Sequence, residues 1–77
     1  MPRAVRSQET RQRIYRSALE LFREHGYDQV TIREICEAAG VAVGTFYHFF
    51  GSKDGTLLYG LAAEDESVDT LLAGLAD

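Results

Sequence analysis

The sequence has 77 residues, of which 45 % are apolar and 26 % are charged. These are ordinary globular values, so they exclude an intrinsically disordered chain and favour one small packed domain. The net charge is −4, but all eight basic residues lie in residues 1–53, and residues 54–77 carry six acidic residues and no basic one. Because the N-terminal part is net positive, the overall acidity does not exclude a polyanionic partner.

Nothing in the sequence indicates secretion or membrane insertion. The longest apolar runs are only a few residues, and the N-terminal residues contain no apolar stretch of signal-peptide length. With a single cysteine, Cys36, no internal disulfide can form, which suits a reducing compartment. We therefore expect a cytoplasmic protein that does not insert in a membrane.

Catalytic and metal-binding functions find little support. His25, Cys36 and His48 lack the close spacing of metal ligands, and no G-x-x-x-x-G-K-[ST] phosphate-binding loop is present. A chain of this size also leaves little room for a substrate pocket with an activated nucleophile. We expect a protein that is not an enzyme and that needs neither a metal nor a cofactor.

The first predicted helix follows a basic N-terminal arm within residues 1–9. It begins at about Ser7 or Thr10, and its apolar positions share one helical face: Ile14, Ala18, Leu21 and Phe22. Gly26 supplies a left-handed stop, so the helix should end near His25. Tyr27 should fold back on Phe22, as in a Schellman motif.

The second predicted helix has a strong start signal. Thr31 and Glu34 have the spacing of a capping box, with Val30 and Ile35 placed as a hydrophobic staple. The helix should end at Gly40. A turn of about three residues then leads to the next helix, which is the spacing of a helix-turn-helix.

The third predicted helix spans residues 43–50. At 100° per residue, Phe46 and Phe50 share a face, with Phe49 beside it, and these rings should pack in the core. Four positions face the other way: Val43, Gly44, Tyr47 and His48. Thr45 lies at the boundary between the two faces.

Residues 54–77 complete the chain with further helix. Ser52 is a good N-cap, and Leu57, Leu58 and Leu61 should face a core. Ser67 could cap a last helix whose apolar positions are Val68, Leu71, Leu72 and Leu75. Whether this part forms one helix or two stays open. The expected fold is all-α: a three-helix unit with a helix-turn-helix over residues 10–53, followed by one or two helices.

A helix-turn-helix with small residues at the start of its second helix can enter the DNA major groove. The candidate DNA-binding residues lie at the starts of the second and fourth predicted helices and along the third: Thr31, Arg33, Val43, Gly44, Thr45, Tyr47, His48 and Lys53. Thr31, Arg33 and Lys53 are candidates for phosphate contacts, and the others face the groove. Simpler interpretations remain, because helix capping alone explains Thr31, and Tyr47 or His48 taken singly could be an ordinary surface residue.

The segment TRQRIYRSALELFREHGYDQVTIREICEAAGVAVGTFYHFFGSKDGTLL resembles the N-terminal DNA-binding domain of TetR (tetracycline repressor-like) family regulators. Its marks include Gly26-Tyr27, Ala39-Gly40-Val41, Gly44-Thr45-Phe46-Tyr47 and Lys53. The resemblance implies that the third helix lies in the major groove of a pseudo-palindromic operator and that the full-length form is a homodimer, usually a repressor. It also implies the same eight DNA contacts as the candidates above.

Three departures from the family pattern stand out. Val43 occupies a position that is often polar, so an apolar methyl contact should replace a hydrogen bond there. Asp54-Gly55-Thr56 places a helix-weakening glycine near the start of the fourth helix. The resemblance also implies a C-terminal domain that binds a small-molecule effector, and we expect these 77 residues not to include it. An alternative function is a protein–protein interaction module that uses the acidic, leucine-rich C-terminal part.

Overall fold

The computed structural model describes the backbone of residues 3–75 and the side chains of residues 7–74. This part of the chain contains helices and no strand, which confirms the all-α prediction. The helices are α1 (Arg3–His25), α2 (Ile32–Ala39), α3 (Val43–Phe50), α4 (Lys53–Ala62) and α5 (Glu66–Leu75), with a short 3₁₀ turn at Tyr27–Gln29. None of the described helices is long and apolar enough to cross a membrane.

Helix α1 begins earlier than predicted. The chain is already helical at Arg3, so residues 3–9 of the expected arm belong to α1. Residues 1–2 of that arm lie outside the described part. The predicted start at Ser7 or Thr10 was wrong because it was inferred from the periodicity of apolar residues. This periodicity shows which part of a helix packs against the core, and it does not show where the helix begins. Residues 3–9 contain no proline or glycine and several good helix formers, and these suffice to extend the helix outward.

The core forms around α1. Ile14, Ala18 and Phe22 are buried as predicted, whereas Leu21 is only partly buried. Two residues that the periodicity did not single out, Tyr15 and Leu19, are buried as well. The buried face of α1 is wider than the predicted stripe because this helix packs against α2, α4 and α5.

The predicted boundaries between α1, α2 and α3 are confirmed. Gly26 has a φ of 89° and its amide donates to the Phe22 carbonyl over 2.9 Å, while the Phe22 and Tyr27 rings lie 4.8 Å apart. At Gly40 the φ is 72°, a left-handed conformation that ends α2. Because Val41 and Ala42 alone separate this glycine from α3, the helix-turn-helix spacing is present.

The C-terminal part forms two helices, which answers the question that the sequence left open. Residues 63–65 interrupt them, with Glu64 in a left-handed conformation at a φ of 56°. The predicted cap at Ser67 was wrong: the Asp65 carboxylate accepts from the Ser67 amide over 2.9 Å, so Asp65 caps α5. Asp65 also accepts from the Tyr15 hydroxyl over 2.6 Å, and this bond lowers the pKa of Asp65.

The leucines of α4 do not all face the core. Leu57 packs against it, but Leu58 is 64 % exposed and Leu61 is 43 % exposed, so the prediction was wrong for these two. The buried positions of α4 are Thr56 and Gly60, one helical turn apart. Apolar composition could not reveal this orientation, because the contact face of α4 consists partly of small residues.

Gly60 lies at the closest approach of α4 to its neighbours. A Cβ built on it would overlap the Val68 side chain and the Tyr15 hydroxyl, whereas a Cβ on Gly74 in α5 would have open space. We therefore expect Gly60→Ala to lower the free energy of unfolding by about 1 to 3 kcal/mol, as overpacking does. The matched variant Gly74→Ala should raise it by about 0.5 to 1 kcal/mol through its higher helix propensity. Urea unfolding of both variants would test the packing, and equal stability of the two would contradict it.

Candidate nucleic-acid interface

Helix α3 is attached to the protein by one fully buried ring. Phe46 has no exposed surface, and the Phe50 ring lies 5.6 Å from it. Phe49 and Phe50 are partly buried and pack against the core. The guanidinium of Arg11 lies 5.6 Å from the centre of the Phe49 ring, which adds a cation–π contact between α1 and α3. The predicted core side of α3 is therefore confirmed.

The opposite side of α3 is open to solvent. Val43 is 39 % exposed and Tyr47 is 50 % exposed, and both Gly44 and His48 are exposed as well. These four residues share one side because they lie at positions i, i+1, i+4 and i+5 of the helix. We call them the α3 open face. Thr45 is half-buried, at the boundary that the sequence predicted.

The start of α3 has no side-chain cap. Ala42 occupies the N-cap position and makes no side-chain hydrogen bond to the helix. Gly44, in the first turn, could carry a Cβ without meeting another atom within 4 Å. The fold therefore does not require glycine at this position, although glycine costs a helix about 0.5 to 1 kcal/mol relative to alanine.

The start of α2 is capped as predicted. The Thr31 hydroxyl accepts from the Glu34 amide over 3.1 Å, and the Glu34 carboxylate accepts from the Thr31 amide over 2.9 Å. Arg33 is exposed in the same helical turn. The capping role of Thr31 is thus confirmed, and its contact with a phosphate stays a prediction.

Lys53, the third predicted phosphate contact, is half-buried and already bonded within the protein. Its ammonium donates to the Tyr27 carbonyl over 2.7 Å and to the Val30 carbonyl over 3.0 Å. The same nitrogen lies 4.2 Å from the centre of the Tyr27 ring. The next residue, Asp54, accepts a hydrogen bond from the Tyr27 hydroxyl. Burial and this bond raise the pKa of Tyr27 above its ordinary value of 10, so the hydroxyl stays a hydrogen-bond donor further into the alkaline range.

The predicted site residues thus lie on three different helices or at their starts. The α3 open face is contiguous, whereas Thr31 and Arg33 lie at the start of another helix, and Lys53 at the start of a third. Sequence reasoning missed the bonds between Lys53 and the turn before α2. Because these partners lie 26 and 23 residues away along the chain, no local pattern could have revealed them.

No group of three or more histidine, cysteine or acidic side chains that could hold a metal ion occurs among the described residues. Cys36 is buried in the core, where desolvation raises the pKa of its thiol.

The capping box at the start of α2 should make stability depend on pH in the acid range. The hydrogen bond from the Thr31 backbone lowers the pKa of Glu34 below its ordinary value of 4.5. A carboxyl with a lowered folded-state pKa stabilises the protein above its ordinary pKa, and this stabilisation is lost as the pH falls below that value.

We expect Glu34→Gln, which can still accept from the Thr31 amide, to flatten the decline in melting temperature below pH 4.5. Glu37→Gln removes a carboxylate from the same helix without touching the capping box, so it is the matched control. A decline as steep in Glu34→Gln as in the parent would contradict the assignment.

Comparisons with known proteins identify relatives of this chain. The family model described as "Bacterial regulatory proteins, tetR family" matches residues 14–59. The chain is 44 % identical over 62 residues to the HTH-type transcriptional repressor KstR of Rhodococcus jostii, covering 80 % of this chain and 29 % of that protein. It is 41 % identical over 58 residues to the HTH-type transcriptional regulator TcmR of Streptomyces glaucescens, covering 75 % of this chain and 26 % of that protein.

A third relative is the HTH-type transcriptional repressor AcnR of Corynebacterium glutamicum, with 43 % identity over 56 residues, 73 % of this chain and 29 % of that protein. The chain thus spans less than a third of the length of these relatives. No solved structure matches it. The matched residues run from the middle of α1 into α4 and include every residue of the α3 open face. This chain belongs to the tetR family of bacterial regulatory proteins.

Proposed function

We propose that this protein binds duplex DNA sequence-specifically and regulates transcription, as a repressor. The observation that carries the proposal is the α3 open face, presented by a short helix whose other side is held in the core by Phe46. A helix of this width fits the major groove, where each base pair presents a distinct pattern of donors, acceptors and methyl groups.

The open face suits this role in its chemistry. Val43 offers an apolar contact for a thymine methyl, and Gly44 lets the backbone approach a base edge closely. Tyr47 and His48 carry hydrogen-bonding groups that can reach bases or phosphates, and Thr45 lies beside them at the edge of the face. No acidic residue lies within α3, so this helix has no carboxylate to repel the DNA.

Phosphate contacts would fix the orientation of α3. We assign these contacts to Thr31 and Arg33 at the start of α2. Lys53 uses two of its three N–H groups within the protein and would contact a phosphate through the third. Such contacts release counterions, so the affinity should fall steeply as salt is added.

A homodimer on a pseudo-palindromic operator would supply the required selectivity. Helix α3 has eight residues, and a single helix of this length contacts only a few base pairs. Two copies reading two half-sites double the number of base pairs that are read. Two of the relatives are named as repressors, which supports repression as the outcome. A small-molecule effector would release the DNA, as the resemblance to the family implies.

The alternative, an interaction module, uses the acidic, leucine-striped C-terminal part. Residues 63–65 interrupt this part, and Leu57, Leu71 and Leu72 pack against the core, so these leucines are less available to a partner than the stripe suggested. Leu58 and Leu61 remain exposed on α4. The side chain of Leu75, which was counted in the stripe, lies outside the described part.

Selection of random duplex DNA on this chain tests the proposal directly. Enrichment of a pseudo-palindromic sequence, bound with an affinity that falls steeply with salt, is the expected result. If no sequence is enriched even when two copies are joined by an artificial dimerising segment, the proposal is wrong.

Tyr47 is a half-exposed ring of the α3 open face, so its removal should weaken binding of the selected operator. We expect Tyr47→Ala to cost about 1 to 3 kcal/mol of binding free energy, with little change in the melting temperature because the side chain is half exposed. Leu58→Ala is the matched control, since it truncates an exposed apolar side chain on α4. Parent-like operator affinity in Tyr47→Ala, measured by fluorescence anisotropy, would show that α3 is placed wrongly.

Gly44 should show opposite effects on folding and on binding. Because a Cβ at this position meets nothing in the DNA-free protein, Gly44→Ala should raise the free energy of unfolding by about 0.5 to 1 kcal/mol. The same methyl group should weaken operator binding, because it occupies the space of a base edge or sugar. Gly74→Ala, which has equally open surroundings on α5, should stabilise the protein and leave binding unchanged. A Gly44→Ala variant that is more stable and binds equally well would argue against close approach here.

A further inference from the structure

Residues in the first helical turn of α4 bond to the segment that leads into α2. Two consecutive residues make the contacts: Lys53 bonds the carbonyls of Tyr27 and Val30, and Asp54 accepts from the Tyr27 hydroxyl. We call Lys53, Asp54 and the bonds that they make to residues 27–30 the α4 clamp. The clamp joins segments that lie more than 20 residues apart in the sequence.

The Lys53 ammonium makes three contacts within the protein. It satisfies two backbone carbonyls in a segment where Val30 is buried, and it stacks on the Tyr27 ring 4.2 Å away. An ammonium has three N–H groups, so these two bonds leave at most one for a phosphate. Charge-assisted hydrogen bonds of this kind are roughly twice as strong as neutral ones, and an unpaired backbone carbonyl would be costly.

The clamp acts on the residue immediately before the α2 cap. Val30, whose carbonyl Lys53 bonds, precedes Thr31, and Thr31 with Glu34 sets where α2 begins. At its other end the clamped turn is fixed by the Phe22–Tyr27 ring contact on α1. The direction in which Thr31 and Arg33 face is therefore set partly from α4.

The first turn of α4 is itself fixed against α3. A Cβ on Gly55 would overlap the carbonyl of Phe50, the last residue of α3, so these two segments approach without space for a side chain. The Ser52 hydroxyl accepts from the Gly55 amide over 3.1 Å and completes the turn. The same helical turn thus touches the end of α3 and the segment that begins α2.

We infer that Lys53 and Asp54 are positioning residues, which set the start of α2 relative to α3 so that the phosphate-contacting and base-reading residues engage one DNA duplex together. This inference rests on the proposed DNA binding. It differs from the assignment that the resemblance implies, in which Lys53 acts through its own phosphate contact.

A change that removes no charge gives the first test. Tyr27→Phe keeps the ring that packs on Phe22 and Lys53, and it deletes only the hydroxyl that bonds Asp54. We expect operator affinity to fall about two- to tenfold, the range for one hydrogen bond, although no charged group has been altered. Binding to unselected DNA should stay as in the parent. Unchanged operator affinity would count against the clamp.

A double-mutant cycle separates positioning from a direct contact. Lys53→Met keeps an unbranched apolar side chain in place of the stem and removes the ammonium, and Arg33→Gln removes the exposed charge at the start of α2. If Lys53 orients α2, Lys53→Met alone already prevents Arg33 from contacting the DNA. Adding Arg33→Gln to Lys53→Met should then weaken operator binding by less than about twofold. If Lys53 is only a phosphate contact, the two losses multiply, and the salt slope falls by about 0.9 for each.

DNA-free measurements keep the inference separate from the proposed function. In the parent and in Lys53→Met, amide resonances of Thr31 and Arg33 report the start of α2, and they should shift when the ammonium is lost. If no duplex is ever enriched yet these resonances shift, the proposed function fails while the clamp stands as a feature of the fold. The inference would be wrong if these resonances do not shift and the losses of operator affinity in Lys53→Met and Arg33→Gln multiply in the double variant. Should Lys53→Met not fold, Tyr27→Phe, which removes a single oxygen atom, decides alone.

Discussion

The burial of Phe46 is the constraint on which the rest of the interface depends. Helix α3 has eight residues, too few for an isolated helix to persist in water. Its position therefore comes from tertiary packing, and Phe46 is its only residue with no exposed surface. Once this ring is fixed, the 100° rotation per residue determines which neighbours point outward. In the proposed function, binding and stability thus use opposite sides of one helix, and a change on the open face need not disturb the core.

Glycines show where close packing constrains the chain and where it does not. At Gly55 and Gly60 the neighbouring atoms leave no room for a Cβ, so glycine is required by the approach of α4 to α3, α1 and α5. The sequence suggested that Gly55 weakens the start of α4. The structure instead shows a complete first turn, capped by Ser52, in which glycine is the residue that fits. Gly44 has open space around it, so the fold does not require glycine there, and in the proposed function its small size lets the backbone approach the DNA.

Local signals in the sequence predicted the helix ends well, because these ends depend on neighbouring residues. The capping box at Thr31 and the stops at Gly26 and Gly40 were all read correctly. The errors arose where contacts between distant parts of the chain determine which side chains are buried. Leu58 was expected in the core and is exposed, because small residues let α4 approach with another face. Within the candidate site, the composition of the α3 open face could be predicted from periodicity, but the partners of Lys53 could not, because they depend on how α4 packs against the turn before α2.

The acidic net charge of the chain is compatible with a DNA-binding surface because the charges are unevenly distributed. Residues 54–77 carry six acidic residues and no basic one, and two of these carboxylates, Asp54 and Asp65, accept hydrogen bonds from the hydroxyls of Tyr27 and Tyr15. Helix α5, whose first turn is acidic, packs against α1 and α4. In the proposed function, an approaching duplex would be attracted by the basic N-terminal part and repelled by the acidic C-terminal part, so the asymmetry would favour encounters in one orientation. Net charge therefore predicts the affinity of such a chain poorly, and the distribution of its charges over the helices is the better guide.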